Sequence, residues 1–456
     1  VIIGIAMMTS VFWSIYYQEE IIWRIVLAAL ITIIAGLLLS RIDKHGKSLN
    51  YREGFAVVTL GWVAASFFGT LPFLLSGYMP SFADAIFETV SGFTTTGATI
   101  LTDVEALPKS LLFWRSLTQW LGGMGIMALF IAIIVGMGTR ANQIFRAEIP
   151  GPVSDKISPR IRETAKILWT TYVVMSVVLF FLLYIFGMDV FDAFCHTFST
   201  MATGGFSTKN QSVGFYSSPY IQWTIIIFMF IAGTNFSLHY FAYKKRSLKG
   251  YIQNREFKLY SGIILVAAAL CAVGMSQIPA MEEKIRTSLF QVVSIITTTG
   301  YGTADYDQWS ALGKSVILIL MFIGGCAGST SGNIKVGRHL IMLQRAAIEI
   351  KKMIHPKALI PVRLGGRVIS IDLVVNVLQF FFIYMAIIFI GTITMGAMGL
   401  DLLSGFSAVA TCLGNIGPGF GLVGPTQNFG FMPDVGKYIL SLLMLQIGRA
   451  SCRERV

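Results

Sequence analysis

Residues 84–97 read DAIFETVSGFTTTG: a short, mostly apolar stretch that runs into three threonines and a glycine. The same fourteen-residue frame returns without a gap at 192–205, DAFCHTFSTMATGG, and at 287–300, TSLFQVVSIITTTG. A weaker copy stands at 404–417, SGFSAVATCLGNIG. A small hydroxyl residue holds the eighth position each time (Ser91, Ser199, Ser294, Thr411), and a glycine closes each copy (Gly97, Gly205, Gly300, Gly417). Successive copies start 108, 95 and 117 residues apart. Polar turns that merely link helices do not account for a shared frame set each time between two apolar stretches. The chain therefore reads as a fourfold internal repeat.

The surroundings of the repeats are those of a membrane protein. Of 456 residues, 55% are hydrophobic and 13% charged, which excludes an ordinary soluble domain. Stretches 55–77, 167–188, 219–243 and 373–400 carry no charge, each close to or beyond the roughly 20 residues that a spanning helix needs. The chain opens at Val1 in an apolar stretch, 1–17, expected to be a membrane helix short of its first residues. No small-residue cleavage pattern precedes Gln18, Glu19 and Glu20, which argues against a cleaved leader. The five cysteines (195, 271, 326, 412, 452) lack ligand spacing, so neither a disulfide nor a zinc-type cluster is expected.

Net charge is +12, and its distribution favours membrane topology over nucleic-acid binding. Basic residues gather in alternate loops: Arg41, Lys44, Lys47 and Arg52; then 139–166; then 244–258, with six against Glu256; then 335–367, with eight against Glu349. The intervening loops lean acidic, with Glu19, Glu20, Asp84, Glu88, Asp103, Glu105, Asp305 and Asp307. The N-terminus and the basic loops are therefore expected in the cytoplasm, and the Thr/Gly turns near the outer side.

Each unit reads as outer helix, short helix, glycine turn, inner helix. The expected divisions are a two-helix N-terminal segment (1–50), repeats at 51–150, 151–258, 259–368 and 369–449, and a non-native tail at 450–456. The last apolar run, 435–447, is short for a span. Helices of about ten residues cannot cross a bilayer, so they should enter and return, which is tolerated where backbone is buried in protein or lines water. The expected fold is all-α and integral to the membrane: four helix–pore-loop–helix repeats around a central pore, with two additional N-terminal helices.

The turns suggest the chemistry. Glycine allows positive φ, so successive carbonyls can face inward, and carbonyl rings can replace the hydration shell of a potassium ion. Each short helix aims its negative end at the pore. No Arg or Lys lies in the turns, and the fifth frame position varies (Glu88, His196, Gln291, Ala408), so no charged ring is expected. An alkali-metal cation follows, potassium first. In the third inner helix, 321–335 reads MFIGGCAGSTSGNIK; Gly324, Gly325, Gly328 and Gly332 with Ser329, Thr330 and Ser331 cannot hold a regular helix and should line the cavity.

TTTGA, ATGGFS, TTTGYG and GNIGP, in that order, resemble the filter segments of the TrkH/KtrB potassium transporters over nearly the whole chain. The two leading helices and HTFSTMATGGFSTKN look TrkH-like. The architecture is also similar to that of potassium channels, although only TTTGYG approaches the channel pattern TVGYG. The resemblance implies filter carbonyls at Thr95, Thr96 and Gly97; Thr203, Gly204 and Gly205; Thr298, Thr299 and Gly300; and Asn415, Ile416 and Gly417. It implies a gate made of the 324–332 segment, and a pore-facing basic residue at Arg449, for which a snorkelling or loop arginine is the alternative. It implies an inner-membrane potassium uptake subunit, with Rb⁺ as a usable surrogate ion and no cofactor of its own. Its expected partners are a TrkA-like cytoplasmic nucleotide-binding regulator and a second copy of the chain. A Na⁺- or H⁺-coupled symporter of the same fold stays open, and behind it a membrane enzyme with a polar cavity, which no nucleophile–base pair supports. Asp84 and Glu88 read as cation attractors at the mouth or as helix caps, Lys314 and Lys437 as outer-surface residues, and Trp114, Trp120, Trp223 and Trp309 as interface anchors. His196, His239 and His339 read as packed or loop side chains rather than proton relays.

Overall fold

The computed structural model describes residues 1–41, 51–125, 161–275, 280–358, 360–364 and 367–450, with the backbone alone at 51–58, 124–125, 161–165, 364, 367 and 447–450. Lys44, Lys47, most of the 139–166 loop, the tail beyond 450 and the Arg449 side chain lie outside the described residues.

Two N-terminal helices, α1 (Ile2–Tyr16) and α2 (Ile22–Ser40), pack on each other, and α1 also leans on the first repeat. That repeat has an outer helix in two pieces, α3 (Tyr51–Gly69) and α4 (Leu71–Ser76), a short helix α5 (Phe82–Phe93), and an inner helix α6 (Lys109–Trp120) that widens into a π-turn at Leu121–Gly125. Pro72 sits in the first turn of α4, where its missing N–H costs nothing, and Gly77 ends it in the left-handed region.

The second repeat has α7 (Ile161–Ile185), α8 (Val190–Met201), α9 (Pro219–Ala232) and α10 (Phe236–Lys245). The last two, expected as one inner helix, are bent by 97° across Gly233, Thr234 and Asn235. After α11 (Lys249–Gln253), the third repeat has α12 (Arg255–Val273), α13 (Met281–Ile296), α14 (Ala311–Leu320) and α15 (Val336–Ile354). A two-rung antiparallel ladder, β1 (Arg363–Leu364) with β2 (Arg367–Val368), is the one strand pairing among the described residues. The fourth repeat has α16 (Ile371–Ala397), α17 (Leu402–Gly414) and α18 (Asp434–Ala450).

Among the described residues, five helices are long and apolar enough to cross a membrane, or six if the bent pair counts as one span. Their apolar faces point outward: Phe382, Ile390 and Ile393 of α16 stay largely exposed, as lipid-facing residues do in a multi-pass protein.

The short helices occupy the interior instead. Three of them start on side-chain caps: Ser81 accepts the Asp84 N–H, Asp189 the Phe191 N–H and Asp401 the Ser404 N–H. α13 lacks one and carries Glu282 and Glu283 in its first turn, where carboxylates suit the helix dipole. Inner helices pack on the next repeat's short helix: α6 on α8, α9 on α13, and α18 back on α5. Between repeats three and four, residues of the broken inner segment take this place: a Cβ on Gly332 would stand 2.7 Å from the Gly414 oxygen.

Candidate functional site

The four glycine turns share one backbone geometry. The N–H of the thirteenth frame residue donates to the carbonyl of the eighth in every repeat: Thr96 to Ser91 (2.9 Å), Gly204 to Ser199 (2.8 Å), Thr299 to Ser294 (2.8 Å) and Ile416 to Thr411 (2.9 Å). The twelfth residue is left-handed in all four, with φ of 56° at Thr95, 53° at Thr203, 57° at Thr298 and 53° at Asn415. The closing glycine is left-handed too: 79° at Gly97, 78° at Gly205, 81° at Gly300 and 95° at Gly417. The residue between has no positive φ. Alternating handedness turns successive carbonyls to one side. Holding a threonine there costs on the order of 1–3 kcal/mol, a strain found where a site over-determines the backbone.

The turns also close a ring. A Cβ on Gly97 would stand 2.2 Å from the Gly204 oxygen, one on Gly205 1.9 Å from the Thr299 oxygen, one on Gly300 2.2 Å from the Ile416 oxygen, and one on Gly417 2.7 Å from the Thr96 oxygen. Contact passes from repeat one to two, two to three, three to four and four back to one. Only turns arranged around a common centre can do that. The glycines are required twice: by positive φ, and because any side chain would meet the neighbour's carbonyl.

Polar side chains brace the ring from behind. The fifth frame position reaches the chain that leaves the turn. Glu88 accepts from Thr99 Oγ1 (2.9 Å) and the Ile100 N–H (3.0 Å), a ring nitrogen of His196 meets Ser207 Oγ (2.9 Å), and Gln291 donates to the Ala304 carbonyl (3.0 Å). Ala408 cannot, and the residue before it, Ser407, accepts the Phe420 N–H instead (2.9 Å). Glu88 is buried, so it neither attracts ions at a mouth nor caps its helix. Its partner is Arg115 of α6, at 2.6 Å, which also donates to the Ser207 carbonyl and lies 3.8 Å from the Phe206 ring centroid. One turn along α6, Gln119 donates to the Gly204 carbonyl (2.6 Å) and accepts the Phe206 N–H (3.1 Å). Sequence reasoning missed both residues; the available signal was two long polar side chains four apart in an otherwise packed helix. In the loop beside this strand, the Asn210 amide holds the Asp103 carboxyl below the usual carboxylate range.

The segment 321–335 is irregular, as its composition predicts, and lies at the end of the ring where the short helices stop. The Gly332 N–H donates to Thr298 Oγ1 (2.6 Å), and Thr330 Oγ1 lies 3.3 Å from Thr203 Oγ1. The segment also plugs the bend between α9 and α10. The Cys326 N–H donates to the Gly233 carbonyl (2.8 Å), the Thr330 N–H to the Ala232 carbonyl (3.3 Å), and the Phe236 N–H to the Gly328 carbonyl (3.0 Å). Gly328 is left-handed at 74°; Gly324 pairs with Ile334, and the Gly325 N–H donates to Ser331 Oγ (2.9 Å). Lys335, buried, donates to the Ser331 carbonyl and to Ser329 Oγ (3.3 Å). Glu256, at the start of α12, accepts the Ala327 N–H (2.7 Å) and the Gly337 N–H (2.9 Å), tying the middle of the segment to the start of α15.

Some side chains lie elsewhere than expected. Lys437 is buried, 2.5 Å from Asp84, and is no outer-surface residue. Trp114 is buried, with its indole N–H on the Gly69 carbonyl (3.0 Å), and is no interface anchor. His239 and His339 are packed, each with a ring nitrogen against a backbone carbonyl, Ile231 and Phe322 respectively.

Comparison with known proteins agrees with this architecture. Residues 22–452 match the family described as TrkH, cation transport protein. The chain is 40% identical over 407 residues to the Trk system potassium uptake protein TrkH of Escherichia coli, covering 88% of this chain and 84% of that one. It is 35% identical over 453 residues to the TrkH protein of Halomonas elongata, covering 98% and 93%. The crystal structure of the potassium transporter TrkH from Vibrio parahaemolyticus superposes with a TM-score of 0.87 at 33% identity, covering 99% of this chain and 94% of that one. With a family match across most of its length and relatives this similar, the chain belongs to the TrkH family of cation transport proteins.

Proposed function

We propose that this chain takes up potassium ions through a pore whose filter is the ring of turn carbonyls. The observation that carries this is the head-to-tail closure of the Thr96, Gly204, Thr299 and Ile416 oxygens, each on the preceding repeat's glycine. Oxygens converging from four sides can replace the water of a monovalent cation. The four short helices add their negative ends at the same centre. Thr95, Thr203, Thr298 and Asn415 would supply the adjoining layer of oxygens, and Gly97, Gly205, Gly300 and Gly417 the next. The names of the relatives, potassium uptake proteins, support the ion.

The segment Gly324, Gly325, Gly328, Ser329, Thr330, Ser331, Gly332 would be the gate, because it stands against Thr298 and Thr203 across the end of the ring. Arg449 of α18 belongs to the same proposal as a basic residue facing the ion path. The alternate basic loops suit a cytoplasmic face in the inner membrane. A cytoplasmic nucleotide-binding regulator resembling TrkA, and pairing with a second copy, are proposed on the same family ground: relatives are named as components of a Trk system.

The test is ⁸⁶Rb⁺ uptake into liposomes holding this chain alone. Uptake should occur, and K⁺ should compete far better than Na⁺. Gly97→Ser and Gly300→Ser should each degrade that preference about tenfold or more, since each hydroxymethyl group meets a ring carbonyl. Unchanged preference in both variants would refute the assignment of the ring.

A further inference from the structure

We infer that Gln119 is a positioning residue that sets ion discrimination at the second repeat's quarter of the ring. This rests on the transport reading above and adds to it a side chain outside the turns.

The second repeat is the odd quarter. In the first and third, the eleventh and thirteenth frame residues are threonines whose hydroxyls pair behind the turn: Thr94 with Thr96 at 2.7 Å and Thr297 with Thr299 at 2.8 Å. The fourth has Gly414 and Ile416, and the isoleucine fills the space itself, its Cδ1 3.2 Å from where a Cβ on Gly414 would stand. The second has Ala202 and Gly204, with neither hydroxyl nor bulk. Gln119 occupies the vacancy. It is fully buried, and a Cβ on Gly204 would lie 2.4 Å from its Cδ. Its two ends are used differently: Nε2 donates to the Gly204 carbonyl at 2.6 Å, and Oε1 accepts the Phe206 N–H at 3.1 Å. A side-chain amide is neutral and long, and its two separate ends can serve a carbonyl and an N–H at once.

The consequence is specific to one oxygen. The Gly204 carbonyl leans into the ring against Gly97 and also takes a donor from behind. One of its two lone pairs is occupied and the other is left for an ion. Among the described residues, no side chain donates to the Thr96, Thr299 or Ile416 carbonyl. Gln119 therefore fixes the direction of one ring oxygen and lowers its strength as an ion ligand. Arg115, one turn away, holds the strand that follows through Ser207 and Phe206, so the clip has a rigid mount.

The experiment measures the concentrations of Na⁺ and K⁺ that halve ⁸⁶Rb⁺ uptake by the full chain in liposomes. Their ratio does not move with the amount of folded protein. Gln119→Met keeps the bulk and removes both bonds, and Gln119→Glu keeps the shape but not the donor. Each should lower the ratio roughly tenfold, the worth of one good hydrogen bond. Gly204→Thr alone should lose uptake through collision with Gln119. Gln119→Ala combined with Gly204→Thr rebuilds the side-chain size of the first and third repeats and should recover uptake and much of the ratio. Two outcomes overturn the inference while wild-type uptake persists: an unchanged ratio in both single Gln119 variants, or a double variant no better than Gly204→Thr. If Gln119→Met and Gln119→Glu fail to fold, the double variant decides. Wild-type liposomes without uptake would overturn the transport reading itself.

Discussion

At the scale of single residues, Glu88 shows what the amino-acid pattern reveals and what it conceals. Its place in the frame is legible, and so is the polarity of the same position in His196 and Gln291. The reason for that polarity is not, because the partners come from the strand beyond the turn and, for Glu88, from Arg115, 27 residues away. A carboxylate near a glycine turn invites the reading of an ion attractor; burial against a guanidinium excludes it. Removing one member of a buried pair strands the other and costs about 3–5 kcal/mol. Glu88→Gln should therefore lower the melting temperature in detergent clearly. Glu88→Gln with Arg115→Met should lower it less than Glu88→Gln alone; equal or greater loss in the double variant would mean that Arg115 is not held chiefly by this pair. The closing glycines were legible for a related reason: positive φ and close backbone approach leave a mark in composition, whereas a salt bridge between two helices does not.

Among elements, the two interrupted inner helices make the contrast. Four glycines between 324 and 332 announce the break in the third repeat. The bend in the second was hidden, since Gly233 is one glycine in a long uncharged stretch and Asn235 becomes a cap only after the chain has turned. Its cause is non-local: Ala232, Gly233 and Phe236 exchange their backbone hydrogen bonds with Thr330, Cys326 and Gly328. Glu256 adds a clasp between Ala327 within the loop and Gly337 just beyond it. Deleting 324–332 should raise Rb⁺ flux if the segment is a gate, and a lower flux in a folded deletion would contradict that role. Glu256→Gln weakens two hydrogen bonds to a charged acceptor, each worth roughly 1.5–3 kcal/mol. It should therefore raise basal flux in the same direction without any deletion, measured as the initial rate of uptake per folded protein.

For the whole molecule, the repeat was readable because a ring needs the same turn in each quarter. How the quarters join was not, since helix periodicity carries no information about neighbours. The last junction depends on Lys437, whose Nζ reaches Asp84 of the first repeat at 2.5 Å. Because this pair ties the fourth repeat to the first, Lys437→Met should loosen the ring without touching a turn. The expected signs are a lower melting temperature and a weaker preference for K⁺ over Na⁺ in competition with Rb⁺. A variant with wild-type values for both would show that helix packing alone closes the ring.

The exchange of backbone bonds between the second and third repeats has a further consequence. The freed peptide groups at residues 232–236 find their partners in a stretch synthesised much later. The sharp corner there is shared property: neither stretch owns it, and a fragment that stops before residue 321 would lack the backbone partners that hold that corner against the pull of an ordinary straight helix.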